Sequence, residues 1–385
     1  MDELRAQLVA HLRGRGDIRS ERVAAAFTRV PRHLFVPEMS PQEAYSDRPL
    51  AIKLEDGVPI SSSSQPAIMA EMLEMLDLRG GERILEIGAG SGYNAALLAE
   101  LVGPAGTVSS LDLDADLVDA ARAHLADAGY ARVRVTRADG AQGDPGHAPF
   151  DAVIATVGVE RIPPAWIAQL REGGRLVAPL TIRSMQKVVA FDRTASGLSS
   201  LRFVDAGFMM LRGPSATADT RLVRLGVAAT LHVFAAAAQT IDPAALAAAL
   251  ARRDAQVVQP ARRLTREAVW NGFALWLALH DDAFCRLATP AGAESGGIPN
   301  LLPGAESHNG GAVTVGLAVG DELVVFAPRG THDVVVNRIG SDRGGLARLQ
   351  STIAAWDDAG RPGAATLRVR VDHTGVTHAE LRGGR

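Results

Sequence analysis

The sequence holds a single cysteine, Cys285. That excludes an internal disulfide and fits a reducing compartment. Cys285 follows the apolar pattern 270–279, which favours an inert core thiol over a nucleophile. Aromatic residues are only 4% of the chain, which argues against stacking platforms for single-stranded nucleic acid. Charge of one sign is also scarce: a net charge of −3 gives no basic footprint for nucleic acid or an anionic membrane. Uninterrupted apolar runs fall short of the ~20 residues of a membrane span. The charged start Met1-Asp2-Glu3-Leu4-Arg5 lacks the apolar stretch of a signal peptide. The expectation is a soluble cytoplasmic protein with no nucleic-acid or membrane partner. Its 47% apolar and 22% charged residues, over 385 positions, are an ordinary globular mix with room for two domains.

Leu4, Leu8 and Leu12, then Val23, Phe27 and Val30, recur at helical spacing on either side of Gly14-Arg15-Gly16. Two short amphipathic helices are expected there. Residues 30–37 read as a proline-bounded extended segment, and 44–50 as a polar loop. In the run Ile60-Ser61-Ser62-Ser63-Ser64-Gln65-Pro66, the proline suits the first turn of a helix whose apolar face is Ile68, Met69, Met72, Leu73 and Leu76. Ser64 is then a candidate N-cap.

From residue 82 the pattern alternates regularly. Strands are expected at 84–87, 107–111, 132–136, 151–156 and 174–180, with helices at 94–101, 115–128 and 164–171. Such alternation implies an α/β, Rossmann-like fold, a mostly parallel twisted sheet covered by helices on both faces. Ligands sit at the carboxyl ends of such strands. Glu86, Asp112, Asp139 and Thr156 stand there. After Gly213-Pro214 the composition becomes alanine-rich. Helices are expected at 241–250, 265–279 and 344–357, strands at 312–318, 322–327, 332–338 and 366–372, and a loop over 289–311. The expected layout is an N-terminal helical segment with substrate-side loops (1–80), a nucleotide-binding core (81–212) and a C-terminal α+β domain (213–385).

Ile84 to Tyr93 is the organising stretch: strand, then Gly88, Gly90 and Gly92, then a helix. Backbone N–H groups bared by glycine at a helix start are a place for a nucleotide-like ligand. A dinucleotide fingerprint needs G-x-G-x-x-G, and here the third glycine comes one residue early. Glu86 would repel a pyrophosphate but can hold an ammonium, directly or through water. Asp112 ends the next strand, where a carboxylate accepts ribose hydroxyls. Asp139 in Ala138-Asp139-Gly140 can accept from an adenine amine. Any one of these acids alone reads equally well as a solvated loop residue. The ordered set describes a ribose, an adenine and a positive centre without phosphate, which is S-adenosylmethionine. Gly88, Gly90, Gly92, Tyr93, Leu113 and Gly140 complete the expected cofactor contacts. No metal is expected.

Several segments together resemble one family. They are Val30 to Pro37, Ala44-Tyr45-Ser46-Asp47, the serine run to Gln65-Pro66, Leu85 to Tyr93, Ala138-Asp139-Gly140, Pro149 to Ile154, Ile162-Pro163 and Gln169 to Val177. In this order they are similar to the protein-L-isoaspartate (D-aspartate) O-methyltransferases. The resemblance implies methyl transfer from S-adenosylmethionine to an aspartyl or isoaspartyl carboxylate of a peptide or protein, with S-adenosylhomocysteine as product. The acceptor is already an anion and the donor is activated, so the protein must position the pair and exclude water. The resemblance gives the aiming hydroxyl to Ser64. Because four serines stand where the family has one, as though three residues were inserted, Ser61 is an alternative. Ser62, Ser63 and Gln65 then join the acceptor surface, opposite Thr156-Val157-Gly158-Val159.

The serine run and the altered 156–159 wall touch the acceptor side only. With the added C-terminal domain, they resemble extended members of the family that tailor ribosomally made peptides through a methyl ester and a succinimide (aspartimide). General repair of isoaspartyl proteins is the alternative. A non-catalytic cofactor-binding regulator is the reading from another class, against which the intact acids and serine argue. The absence of an Asn-Pro-Pro-Tyr motif at 155–158 argues against amino-methylation of nucleic acid.

Overall fold

The computed structural model describes all residues except 216–219, 226–230, 237–238, 240, 253–254, 261, 290–299, 302–311 and 382–385. It divides into two compact units. The first comprises Met1–Leu180, Gln186–Thr217 and Val369–His378, and the second Thr181–Met185, Ala218–Arg368 and Ala379–Arg385. Residues 369–378, counted by sequence with the C-terminal domain, thus belong to the first unit.

The first unit opens with helices α1 (Asp2–Arg15) and α2 (Glu21–Arg29), the latter capped by Ser20. Gly14 is tolerated inside α1, and the break comes at left-handed Gly16. The proline-bounded stretch that follows is not extended: Arg32–Phe35 is a 3-10 turn. It buries Phe35 and Arg32 completely. A short helix α3 (Pro41–Ala44) carries a capping box, Ser40 with Glu43. Then comes a hairpin, β1 (Leu50–Glu55) and β2 (Val58–Ser63), paired antiparallel. Ser61, Ser62 and Ser63 therefore end a strand, and Ser64 follows it. Helix α4 (Pro66–Leu76) begins at once, with Gln65 and not Ser64 as its N-cap. Neither side chain caps it. The carboxylate of Asp47 does, accepting the Ala67 N–H at 2.9 Å.

The core alternates as its periodicity predicts: β3 (Arg83–Ile87), α5 (Tyr93–Val102), β4 (Thr107–Asp112), α6 (Ala115–Asp127), β5 (Arg134–Arg137), β6 (Phe150–Ala155), α7 (Pro164–Gln169) and β7 (Leu170–Ile182). Strands β7, β6, β3, β4 and β5 lie in that order, each pair parallel. Strand order reverses between β3 and β6, so their carboxyl ends splay into the crevice where such sheets bind ligands. Antiparallel β8 (Met185–Thr194) and β9 (Gly197–Asp205) extend the sheet beyond β7. Arg370 and Val371 pair with Ser199 and Leu198 at its far side. Apolar residues of α2, α4 and α5, among them Phe27, Leu73 and Leu97, are buried together with Ile84 and Ile154.

The second unit is built on an antiparallel sheet. Its elements are β10 (Thr220–Leu225), β11 (Leu231–Ala236), α8 (Pro243–Arg252), β12 (Gln256–Val258), α9 (Arg266–Ala268), α10 (Ala274–His280), β13 (Phe284–Ala288), β14 (Val313–Val319), β15 (Glu322–Arg329), β16 (Asp333–Ile339), α11 (Gly345–Asp358), β17 (Leu367–Val371) and β18 (Thr377–Leu381), the last two shared with the first unit. Val269–Phe273 is a π turn between α9 and α10. The sheet order is β10-β11-β13-β14-β15-β16-β12. One apolar cluster joins Phe273 and Leu277 to Phe326 and Trp356, and another joins Leu246 to Val233, Leu287 and Val325. Cys285 is fully buried in the second. Burial raises its thiol pKa strongly, which leaves it inert. Most of the loop expected at 289–311 lies outside the described residues.

Candidate active site

The turn after β3 is shaped by glycine. Gly88, Gly90 and Gly92 all have positive φ, at 96°, 51° and 87°. At Gly88 there is also no room, since a Cβ would lie 2.5 Å from the Thr156 hydroxyl oxygen. The turn is fastened to its neighbour strand: Gly88 and Ala89 donate to the Leu111 carbonyl at 2.8 and 3.0 Å. Gly90 N–H donates to Asp112 Oδ2 at 2.9 Å. Asp112 also accepts the Asp114 N–H through Oδ1 at 3.3 Å. It stands half-buried at the end of β4 with further lone pairs uncommitted.

Glu86 lies inside the sheet and is fully buried. Asn94 Nδ2 donates to one carboxylate oxygen at 2.7 Å and Ser110 Oγ to the other at 2.5 Å. Burial pushes its pKa up from 4.5 to about 7, against the pull of those two donors. Its visible work is to bind β3, β4 and the first turn of α5 together. Asn94 Oδ1 beside it is buried and has no hydrogen-bond partner in the structure. Tyr93, counted by sequence among the cofactor contacts, turns its ring into the core. It meets Phe35 at 5.6 Å and Phe27 at 6.3 Å between ring centroids, with Arg32 5.5 Å from its own centroid. Only its backbone remains at the turn.

Asp139 follows β5. Its Oδ1 accepts the Ala141 N–H and its Oδ2 the Ser215 N–H, each at 3.1 Å. Gly140 packs against Ile87, and its carbonyl accepts the buried Trp166 indole N–H at 2.8 Å. Leu113, half-buried between Asp112 and Asp114, offers its carbonyl to Arg137 at 3.2 Å. Glu86, the glycines, Asp112, Leu113, Asp139 and Gly140 thus gather at adjacent strand ends. The carboxylates that face this mouth are Asp112 and Asp139, whereas Glu86 is buried with both oxygens already accepting from Asn94 and Ser110, so the expected direct contact of Glu86 with an ammonium is not seen. Two carboxylates beside a glycine turn suit a hydroxyl- and amine-bearing cationic group, and so fit S-adenosylmethionine.

The opposite wall is tightly held. Thr156 Oγ1 donates to the Gly88 carbonyl at 2.7 Å, so its proton is spent on the turn. Val157 packs against Gly88. Gly158 pairs with the segment after β9, donating to Met209 O and accepting from Leu211 N, both at 2.7 Å. A Cβ on Gly158 would meet the Gln186 side-chain amide at 2.4 Å. Val159 donates to Pro179 O at 2.9 Å. Beside this wall a cavity of about 370 Å³ is lined by Gln142, Val159, Ile162, Pro163, Met210 and Leu211, among others.

The hairpin covers the glycine turn from the other side. A Cβ on Gly90 would lie 3.5 Å from the Ser62 carbonyl oxygen and 3.8 Å from Ser61 Oγ. Ser63 is buried, its hydroxyl 3.5 Å from Arg32 Nη2. Ser64 follows as the last residue before Gln65, whose side chain donates to Asp47 Oδ2 at 3.1 Å. Arg32 was not singled out by its spacing, although it lies within Val-Pro-Arg-His. It spans the carbonyls of Ser46, Arg48, Ser63 and Ser64. Asp47 likewise appears there only as part of a resembling segment, and Lys53, Asp114 and Met210 are absent from the sequence expectation, because their partners lie far along the chain.

Comparison with known proteins agrees with this geometry. The family described as protein-L-isoaspartate(D-aspartate) O-methyltransferase matches residues 3–209. A protein-L-isoaspartate O-methyltransferase of Methanopyrus kandleri is 43% identical over 194 residues, 50% of this chain and 84% of that protein. One from Methanoculleus marisnigri is 45% identical over 202 residues, 52% of this chain and 88% of that protein. A solved structure with the same designation is similar in fold over 98% of this chain and 99% of its own, at 22% identity and a TM-score of 0.56. The fold likeness therefore includes the second unit.

Proposed function

Since the chain belongs to the protein-L-isoaspartate(D-aspartate) O-methyltransferase family, a family of S-adenosylmethionine-dependent enzymes, we propose that it methylates the side-chain carboxylate of an isoaspartyl or aspartyl residue in a peptide or protein. The observation that carries this reading is the hairpin's serine strand lying over the glycine turn at Gly90. It brings hydroxyls and the cofactor mouth together. Bound S-adenosylmethionine supplies an electrophilic methyl group. A carboxylate oxygen forms the new C–O bond as the C–S bond breaks, and the electron pair stays on sulfur. No proton moves, so no general base is required. The chain's own contribution is orientation. Asp112 holds the ribose, Asp139 the adenine, and a serine hydroxyl directs one carboxylate oxygen.

Two serines remain for that role. Ser64 holds the position that the family resemblance assigns, and Ser61 lies over Gly90. Thr156 and the 157–159 backbone form the facing wall. The cavity beside Val159 and Met210 accommodates an apolar side chain next to the acceptor.

A narrower reading is a dedicated peptide acceptor. The serine strand and the Val157-Gly158-Val159 wall support it, because both depart from the family pattern on the acceptor side. The second unit does not bear on this choice, since a solved structure designated as an isoaspartate methyltransferase has the same fold over its full length. After methylation, attack by the next backbone nitrogen on the ester expels methanol and closes a succinimide. Paired L-aspartyl and L-isoaspartyl peptides, followed by mass spectrometry, test both readings. A methyl gain and later methanol loss on the isoaspartyl peptide supports repair, and on the aspartyl peptide supports tailoring. No methyl gain on either would remove the carboxyl-methylation reading.

A further inference from the structure

Residues 208–215 lie across the carboxyl ends of three core strands and are fastened beyond each. After β6, Gly158 exchanges two backbone hydrogen bonds with Met209 and Leu211. After β4, Asp114 accepts from Arg212 Nη2 at 2.6 Å. After β5, Asp139 accepts the Ser215 N–H, and Gln142 Nε2 donates to Ser215 Oγ at 2.8 Å. The approach is close: Gly213 has φ of 124°, and a Cβ there would lie 3.1 Å from Asp139 Oδ1. Glycine alone takes that conformation in that space at low cost.

Asp114 has a second partner. Lys53 Nζ on β1 lies 3.1 Å from it, so one carboxylate holds both the serine hairpin and the segment after β9. Hydrogen bonds from Arg212 and Lys53 outweigh the burial that would raise the Asp114 pKa, and hold it below its ordinary value. The Lys53 and Arg212 side chains remain 26% and 38% exposed. Partly exposed ion pairs are weak fastenings that water and salt can release. A segment held this way opens more readily than one held by a packed core.

We propose that residues 208–215 form a strap closing over the bound cofactor, fastened by Arg212 to Asp114 and fixing Asp139 for the adenine amine. The proposal rests on the cofactor reading given above. Arg212 and Gly213 are positioning residues: they act through Asp114 and Asp139. The hairpin shares this carboxylate through Lys53 but also keeps the Lys53 contact with Asp116 at 2.7 Å, so loss of the Arg212 contact opens the strap first and sets the path for cofactor exchange.

The test uses the full chain and S-adenosylhomocysteine as probe. Its affinity is measured by calorimetry, its release rate by rapid-mixing competition, and the melting temperature is followed in parallel. Arg212→Ala should speed release about tenfold, as expected for losing one charge-assisted contact, and Gly213→Ala should speed it too, because its added Cβ would press on Asp139. Arg212→Lys should restore most of the wild-type rate, with melting temperatures nearly unchanged. Raising salt should speed release from wild type more than from Arg212→Ala, in which only the Lys53 pair with Asp114 remains. Wild-type release rates in both alanine variants, or salt-independent release from wild type, would overturn the strap. If wild type fails to bind the probe at all, the cofactor reading itself falls, and the two failures are thus distinguishable.

Discussion

The guanidinium of Arg32 lies 3.0 Å from the backbone carbonyl of Ser64, and among the described residues no carboxylate forms an ion pair with it. Its Nη atoms instead reach carbonyls at 46, 48, 63 and 64, while Nε has no partner. Burial lowers its pKa from 12.5 to about 10, against a weaker opposing pull from nearby groups that include Asp47, and it remains charged at neutral pH. The fork geometry joins the Ala44–Asp47 loop to the serine strand. Arg32→Ala should destabilise the chain by about 2–4 kcal/mol through a cavity and unsatisfied carbonyls. Arg32→Lys keeps the charge without the fork and should recover only part of this. Urea denaturation measures both, and a change below ~0.5 kcal/mol in the alanine variant would refute the assignment.

Glu86 gives a pH dependence with a definite sign. Its folded pKa is about 7 against an ordinary 4.5. Between those values the folded protein binds the extra proton, so stability from this group is full below pH 4.5 and is lost as pH rises through 7. The shift corresponds to about 3 kcal/mol. Glu86→Gln cannot ionise; its amide oxygen can still accept from Asn94 Nδ2, and its amide N–H can donate to the Ser110 hydroxyl oxygen. The melting temperature of this variant relative to wild type should therefore rise between pH 5 and pH 8. Parallel pH profiles for the two proteins would show that Glu86 ionises freely in the folded state.

The glycine turn and the alternating core were legible because their signals are local. Three glycines, a helix and three acids at strand ends all fall within short windows. The hairpin was not legible: serine has no strong strand preference, and no alternation marks 50–63. It forms because Leu50 to Glu55 finds a partner and Ser63 finds Arg32, both tertiary facts. Tyr93 shows the same limit. Its place after Gly92 suggested a ligand contact, but Phe27 and Phe35, remote in sequence, supply an apolar site for the ring. The strap depends on contacts such as Arg212 with Asp114 and Ser215 with Asp139, which no periodicity encodes. Residues 369–371 read as a strand, but nothing local told which sheet would take them.

Asp112 has two tasks that one substitution separates. As the residue expected to hold the ribose, its loss in Asp112→Ala should weaken S-adenosylhomocysteine binding by about 1–3 kcal/mol. As acceptor for Gly90 N–H, its loss should also lower the melting temperature modestly. Asp112→Asn keeps an acceptor oxygen for Gly90 and should restore most of the stability while leaving affinity impaired. Calorimetry beside thermal melts reads the two effects separately. Unchanged affinity in both variants would remove the ribose assignment.

Ser64 and Ser61 differ in what surrounds them, and this makes the choice between them measurable. Ser64 follows the strand, its carbonyl tied to Arg32, two residues before the helix that Asp47 caps. Ser61 pairs with Lys53 across the hairpin and lies over Gly90. A hydroxyl that aims the acceptor acts in the transition state, so its removal should lower kcat for methyl transfer with little change in cofactor affinity. Ser64→Ala should show that pattern, with a fall of about 10–100-fold, the worth of one oriented hydrogen bond. Ser61→Ala should instead alter cofactor binding, because it loosens the cover over the glycine turn, and should leave kcat nearly intact. The reverse pattern would move the aiming role to Ser61 and place the acceptor directly above Gly90. Ser63→Ala serves as the control, since that hydroxyl is buried on Arg32 and should affect stability alone.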